Sequence, residues 1–339
     1  MKFTGGPIAA GFVASLLLLS QACESNGDVV PGSDRKRNTG HYVSLNRFDK
    51  REVIADVALP GVSGVQRRYY WKSLEPEFGR YDLSEVRADL EAAREHGLQL
   101  VVFIEDKSFN GEIPTPPYLQ GKHTVKNRSG GFIAVRWDAY VKERFKALIA
   151  EIGRQLDTDA NFEGVAIQES APSLDHDVLA ELDYSPEAYR DALTDVLQSA
   201  SDSMPGSRVF WYMNFLPGRQ AYLLQIADAV SGTGVVIGGP DVLPDNKALQ
   251  KRTYPFYDKL AQQGLVFNSM QNDSYAHEHS SSEFDQKYWG LEQLFFFARD
   301  RLHVDYLFWN RKSWRKPADS HNWSDASEVI LEHQDFGRN

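Results

Sequence analysis

After about residue 40, short runs rich in Val, Ile, Leu, Phe and Tyr alternate with longer stretches whose apolar residues recur every three or four positions. Eight runs read as strands: 41–46, 64–71, 98–105, 162–169, 208–215, 234–239, 265–271 and 304–310. The stretches between them read as helices. After the second run, Asp82 and Glu85 have capping-box spacing. Leu83, Val86, Leu90 and Ala93 form an apolar stripe there, and Gly97 supplies the stop. After the third, Val141, Phe145, Leu148, Ile152 and Leu156 share one face. After the fourth, Ser185 precedes Pro186 as a cap and first helical residue, followed by Tyr189, Leu193, Val196 and Leu197. Phe284, Tyr288, Leu291 and Phe295 mark the helix before the last run, and the outermost helices, 50–58 and 325–331, are short.

Strands alternating with helices pair in parallel through right-handed crossovers, and eight such units close on themselves. The expected fold is therefore α/β, a single-domain (β/α)8 TIM barrel. The rival, an open doubly wound sheet, normally carries a glycine-rich phosphate turn after its first strand, and none is present.

The N-terminus departs from the alternation. An apolar stretch from Pro7 to Leu19 follows Lys2 and is too short for a spanning helix, so residues 1–22 read as an export signal. Cys23, the sole cysteine, excludes an internal disulfide. With Ala22 before it, the segment resembles a bacterial lipoprotein cleavage site, which makes Cys23 the expected lipidation site. The expectation is an exported lipoprotein of the outer membrane or cell surface, held to the membrane only through that anchor; ordinary cleavage, leaving a soluble periplasmic or secreted protein, is the alternative. Residues 23–40 are polar and read as a flexible tether, so the barrel domain is expected to span 41–339.

Composition narrows the partners. A net charge of −10 and a pI near 5.4 exclude a phosphate-backbone partner, which requires clustered cations. Aromatic residues make up 12% of the chain, enough to fill a core and also to stack against pyranose rings.

The segment from Tyr70 to Asp82, with Trp71, Leu74, Glu75, Pro76, Gly79, Tyr81 and Asp82, resembles the W-x-x-L-E-P-x-x-G-x-Y-D signature after strand two of clan A glycoside hydrolases. Those are retaining (β/α)8-barrel enzymes. Gly97 to Leu100, Pro116 to Leu119, Phe162 to Glu169 and Tyr306 to Asn310 agree with the same family, so the resemblance spans most of residues 41–312. It implies carbohydrate as substrate, Glu169 as the acid/base residue ending strand four, and Trp309 as the sugar platform ending strand eight. Two positions depart from the family. Gln168 replaces the Asn that contacts a sugar hydroxyl, and Gln271 or Asn272 stands where the strand-seven nucleophilic Glu belongs.

Active sites of this fold lie at the C-terminal strand ends. The carboxylates there are Glu105, Asp106, Glu169, Asp241 and Asp273. Glycosidic cleavage requires two carboxyl groups, one protonated and one ionised. Glu169 follows Val165 and Ile167 at period two, so an apolar, barrel-facing setting is expected, which suits a general acid/base. Asp241 is the preferred partner, because Gly238 and Gly239 before it would let backbone approach a ligand; Asp273 and Glu105 are reserves. Trp309, Tyr70, Glu105, Gln168, Asn214, Gln271 and Tyr275 are the candidate substrate contacts, with Trp71, Trp211 and Tyr212 as further aromatics. Arg68, Lys107, Arg136 and Arg311 could contact an acidic sugar or pair with nearby carboxylates. His277, Glu278 and His279 are too closely spaced in a polar loop to suggest a metal, and no cofactor is expected. The functional reading is a glycoside hydrolase. Its alternative, kept alive by the strand-seven position, is a catalytically inactive carbohydrate-binding barrel.

Overall fold

In the computed structural model of the 339-residue chain, residues 1, 2, 5, 35–276, 289–311 and 321–336 are described. The chain divides between Val30 and Pro31, and the barrel lies wholly in the second unit. Its strands are β1 (Gly40–Leu45), β2 (Val62–Tyr70), β3 (Gln99–Glu105), β4 (Thr124–Lys126), β5 (Phe132–Ala134), β6 (Phe162–Ile167), β7 (Arg208–Tyr212), β8 (Val235–Gly239), β9 (Val266–Met270) and β10 (Tyr306–Asn310). Eight of them close in the order β1-β10-β9-β8-β7-β6-β3-β2, with every neighbour parallel. The expected TIM barrel is the fold. The remaining two, β4 and β5, form a small antiparallel hairpin in the connection after β3.

Strand alternation sorts the apolar residues into two shells. Tyr42, Phe103, Phe210, Tyr212, Phe267, Tyr306 and Phe308 fill the barrel interior with Val101, Ala166 and Val236. Many of these rings meet edge to face, as Phe210 does with Tyr306 at 5.1 Å. The alternate residues, such as Val165, Ile167, Leu307 and Trp309, pack outward against the helices.

The surrounding helices follow the apolar periodicity, with local differences at their ends. Ala139–Leu156 and Pro186–Ser203 are the longest, and Ser185 Oγ caps the second by accepting from the Ala188 amide at 3.0 Å. Ser84–Glu95 begins without the expected capping box: Asp82 accepts from Ser84, and Glu85 pairs with Arg51 at 2.7 Å instead. Gly97, at φ +68°, ends that stretch in the left-handed conformation a glycine adopts without strain. The outer helices are Val53–Asp56 and Trp323–Glu332, and the one before β10 is Leu291–Phe296; Phe284 and Tyr288 lie outside the described residues. Among the described residues no helix is long and apolar enough to cross a membrane.

Packed structure begins before His41. Lys36 Nζ donates to the Asp157 and Phe162 carbonyls at 2.6 and 2.9 Å and to Ser207 Oγ at 2.8 Å. Arg35 reaches the Ser201 and Ser207 carbonyls, and Asn38 bonds Glu163 at 2.7 Å inside the N-terminal mouth of the barrel. The basic run assigned to the tether thus satisfies carbonyls at a helix C-terminus and strand starts, which accept cationic donors readily. Lys36→Ala is expected to lower stability by about 1–3 kcal/mol, because three acceptors lose a charged donor and the Asp157 and Phe162 carbonyls keep only the longer bonds from Ser207 Oγ. Denaturant titration would show a lower midpoint with an unchanged slope; an unchanged midpoint would mean that this segment contributes nothing to the folded body.

Candidate active site

At the C-terminal end of the barrel, a cavity of about 190 Å³ is lined by Arg68 from β2, Phe103 from β3, Tyr212 from β7 and residues just past β6, β8 and β9. Those last residues bring three acids to one space: Glu169, Asp241 and Asp273. A second cavity of about 480 Å³ adjoins it and shares Arg68, Phe109 and Gln271. Together they have the size and the mix of aromatic and polar lining that small-molecule sites show.

The carboxyl of Glu169 is fixed by two donors. Lys107 Nζ donates to Oε1 at 2.6 Å, and Asn214 Nδ2 donates to Oε2 at 2.6 Å. Lys107 is fully buried and uses its other hydrogens on the Ala171 carbonyl (2.8 Å) and Ser173 Oγ (2.9 Å). Burial pulls the Lys107 ammonium below its ordinary range, and the Glu169 charge opposes that shift. Both oxygens of Glu169 act as acceptors, the arrangement of a carboxylate rather than of an acid. The expected apolar setting is therefore not what surrounds it. Its stated basis also differs, since Val165 and Ile167 face the helices. Glu169 reaches the cavity because β6 ends at Ile167 and the regular alternation stops there.

Asp241 has the opposite environment. Part of its surface opens to the cavity, protein encloses the rest, and no cation pairs with it among the described residues. Burial, then the negative charges of Asp273 and Glu169, push its carboxyl up to about 7. The preceding glycines do not serve a ligand. A Cβ at Gly238 would meet the Phe267 carbonyl oxygen at 1.9 Å, and one at Gly239 would meet Tyr257 Oη at 2.8 Å, so both are required by strand and helix packing.

Several sequence candidates take other places. Trp309 is fully buried outside the barrel, with its indole N–H on His41 Nδ1 at 3.0 Å. In β10 the inward residues are Tyr306 and Phe308, one position out of step with the expectation, and Asn310 lines the larger cavity. Tyr275 is likewise fully buried in the outer core, with no partner for its hydroxyl among the described residues. Trp71 and Trp211 are buried in the same shell, and Tyr212 lies beneath the acid cavity with its hydroxyl 3.0 Å from Ser269 Oγ. Gln168 borders the cavity, but its amide clamps backbone: Oε1 accepts from the Asp106 and Lys107 amides, and Nε2 donates to the Lys107 carbonyl. Asn214 orients Glu169. Tyr70, Glu105 and Gln271 do line the larger cavity. Arg136 holds Asp106 through two bonds of 2.6 Å and donates to the Glu169 carbonyl, whereas Arg311 faces Asp49 and Asp56 at 3.6 and 3.9 Å and lines neither cavity.

Sequence reasoning missed Asn46, Arg47, Phe48, Phe109 and Asn110 on the larger cavity. The available signal was positional, since Asn46 to Phe48 directly follow β1 at the functional end of the barrel. Cys23 and the His277, Glu278, His279 cluster lie outside the described residues.

The architecture is that of a TIM barrel with its acids gathered at the strand ends. No protein-family model and no curated protein matches the chain. Solved structures with this fold include a GH5_18 protein from Streptomyces cattleya in complex with GlcNAc, at 13% identity and TM-score 0.59, covering 90% of this chain and 82% of that one. The catalytic domain of β-amylase from Paenibacillus polymyxa is similar at 10% identity and TM-score 0.56, covering 81% and 92%. The exo-β-1,4-mannosidase Op5Man5 from Opitutaceae bacterium strain TAV5 is similar at 14% identity and TM-score 0.54, covering 89% and 58%. These structural neighbours are glycoside hydrolases, and at such identities the likeness establishes the fold.

Carboxyl titration by carbon NMR checks the electrostatics. Asp241 is expected to titrate near 7, and Asp273→Asn to lower that midpoint, because removing a nearby negative charge favours the ionised form. A midpoint near the ordinary aspartate value of about 4 would contradict the described environment.

Proposed function

We propose that this protein is a glycoside hydrolase that cleaves a poly- or oligosaccharide in the cavity bounded by Glu169 and Asp241. The observation that carries this reading is the opposed environment of two acids in one space. Asp241, largely enclosed and facing no cation among the described residues, is raised to about 7 and can hold a proton for the leaving oxygen. Glu169, accepting from Lys107 and Asn214, supplies the negative charge that either attacks the anomeric carbon or activates the water that does. The sequence resemblance nominates Glu169 as the proton donor; its hydrogen bonds favour the reverse division of labour. Asp273, just past β9, adds charge near the position where the resembled family carries its nucleophile. The neighbours' names support carbohydrate as the ligand at the level of fold only.

A non-catalytic carbohydrate-binding barrel is the second reading. It is favoured by Gln271 at the end of β9 and by the tight pairing of Glu169 with Lys107. Hydrolysis of a glycan panel separates the two. Asp241→Asn is expected to reduce turnover about 10²- to 10⁴-fold, and Glu169→Gln by a comparable factor. Wild-type activity should fall as pH rises through about 7, because Asp241 then loses the proton it must donate. Binding without turnover across the panel would instead establish the second reading.

The N-terminal reading places this site outside the cell, with residues 1–22 removed on export and Cys23 acylated. Cells fed labelled palmitate should yield a labelled, membrane-bound protein, and Cys23→Ala should release it unlabelled. Unlabelled wild-type protein in the soluble fraction would contradict the anchor.

A further inference from the structure

We propose that the larger cavity is a subsite for a negatively charged sugar, carrying a carboxylate or a sulfate, next to the residue held between Glu169 and Asp241. The cleavage site of the preceding proposal fixes only the order of these subsites; recognition of the anion does not require turnover.

The chain carries a net charge of −10, yet this wall sets two guanidinium groups against one carboxylate. Glu105, 4% exposed, gives one oxygen to Arg47 Nη1 at 3.0 Å and the other to Arg68 Nη1 at 3.3 Å. Glu105 thus balances one of the two positive charges. Each guanidinium places one of its five N–H donors on Glu105; the Arg47 Nε is buried, so the remaining Nη hydrogens are those open to a ligand. About a fifth of each arginine side chain remains exposed, so these are not sealed structural pairs like Arg136 and Asp106.

Orientation is fixed as well as charge. The Arg47 guanidinium lies 4.0 Å from the Tyr70 ring centroid and 4.5 Å from that of Phe48, and Arg68 lies 4.7 Å from that of Phe103. Planar donors held by rings and anchored on a buried acid are pre-organised for bidentate binding of a carboxylate or sulfate. The cavity also borders Phe48 and Phe109, 62% and 53% exposed, whose apolar faces match the C–H faces of a pyranose. Exposed phenylalanines beside arginines at a concave mouth suit a ring that is apolar on one side and charged at its edge. Because the two cavities join at Arg68, Gln271 and Phe109, a saccharide filling both sets its charge beside the arginines and away from the three acids.

The test is titration calorimetry with the full chain carrying Asp241→Asn, which prevents turnover. The probes are oligogalacturonates, alginate oligosaccharides, glucuronate-bearing xylo-oligosaccharides and sulfated galacto-oligosaccharides, each beside its carboxyl-reduced or desulfated counterpart. At least one anionic probe is expected to bind about tenfold or more tighter than its neutralised counterpart, and the acid and sulfate arms identify which anion is read. Arg47→Gln should abolish that preference, Arg47→Lys should restore part of it, and salt near 1 M should weaken it. Equal binding of the neutralised forms, binding of no anionic probe, or a preference that survives Arg47→Gln would overturn the proposal. Should Arg47→Gln fold poorly, the wild-type side-chain comparison between charged and neutralised probes decides. Anion-selective binding by a protein that cleaves no glycan sinks the hydrolase reading and leaves this one standing; cleavage confined to neutral glycans does the reverse.

Discussion

Three acids share one small space at the barrel mouth, and the whole site follows from how their mutual repulsion is resolved. Like charges held close in a partly desolvated cavity cannot all ionise easily. The protein answers unevenly. It buries one ammonium, Lys107, against Glu169 and, among the described residues, sets no cation against Asp241. The first acid becomes an acceptor on both oxygens, and the second holds its proton toward neutral pH. Two carboxyl groups with different protonation states are what glycosidic cleavage requires, so the electrostatic solution and the proposed chemistry coincide.

Placing an ammonium there requires considerable support. Lys107 lies just past β3, where the chain leaves the barrel toward the β4–β5 hairpin. Gln168 clamps its backbone from the neighbouring strand, Arg136 grips Asp106 on one side, and Ser108 bonds the Phe132 carbonyl on the other. Arg136 extends the same network to the Glu169 carbonyl and the Tyr189 hydroxyl. The most recognisable sequence motif belongs to this scaffolding rather than to the chemistry. Glu75 of the Trp71 to Asp82 segment is fully buried, accepting from the Trp71 indole at 2.9 Å, from the Gly79 amide at 3.0 Å and from Arg144. It ties the loop after β2 to itself and to the helix that carries Arg144.

The barrel was legible in the sequence because its strands, buried on both faces, appear as nearly continuous apolar runs between amphipathic helices. The same property hides which way each side chain points. Where Tyr306 to Trp309 of β10 are all apolar or aromatic, nothing in the sequence marks Phe308 as inward and Trp309 as outward, and neither ring reaches the cavities. Beyond strand ends the period fails altogether. Glu169 and Asp241 reach the cavity through irregular backbone, and the glycines before Asp241 answer to Phe267 and Tyr257, which are distant in sequence. Arg47, Phe48 and Phe109 carry no local pattern, because their placement depends on closure of the barrel around them. Arg35 and Lys36 fall within the stretch that reads as a tether, because their acceptors, from Asp157 to Ser207, are distant in sequence.

Neutron diffraction from deuterated crystals at about pH 6, below the Asp241 midpoint, locates the protons themselves. The account predicts a deuteron on the Asp241 carboxyl, none on Glu169, and a fully deuterated ammonium on Lys107. A deuteron on Glu169, or a bare Asp241, would contradict it.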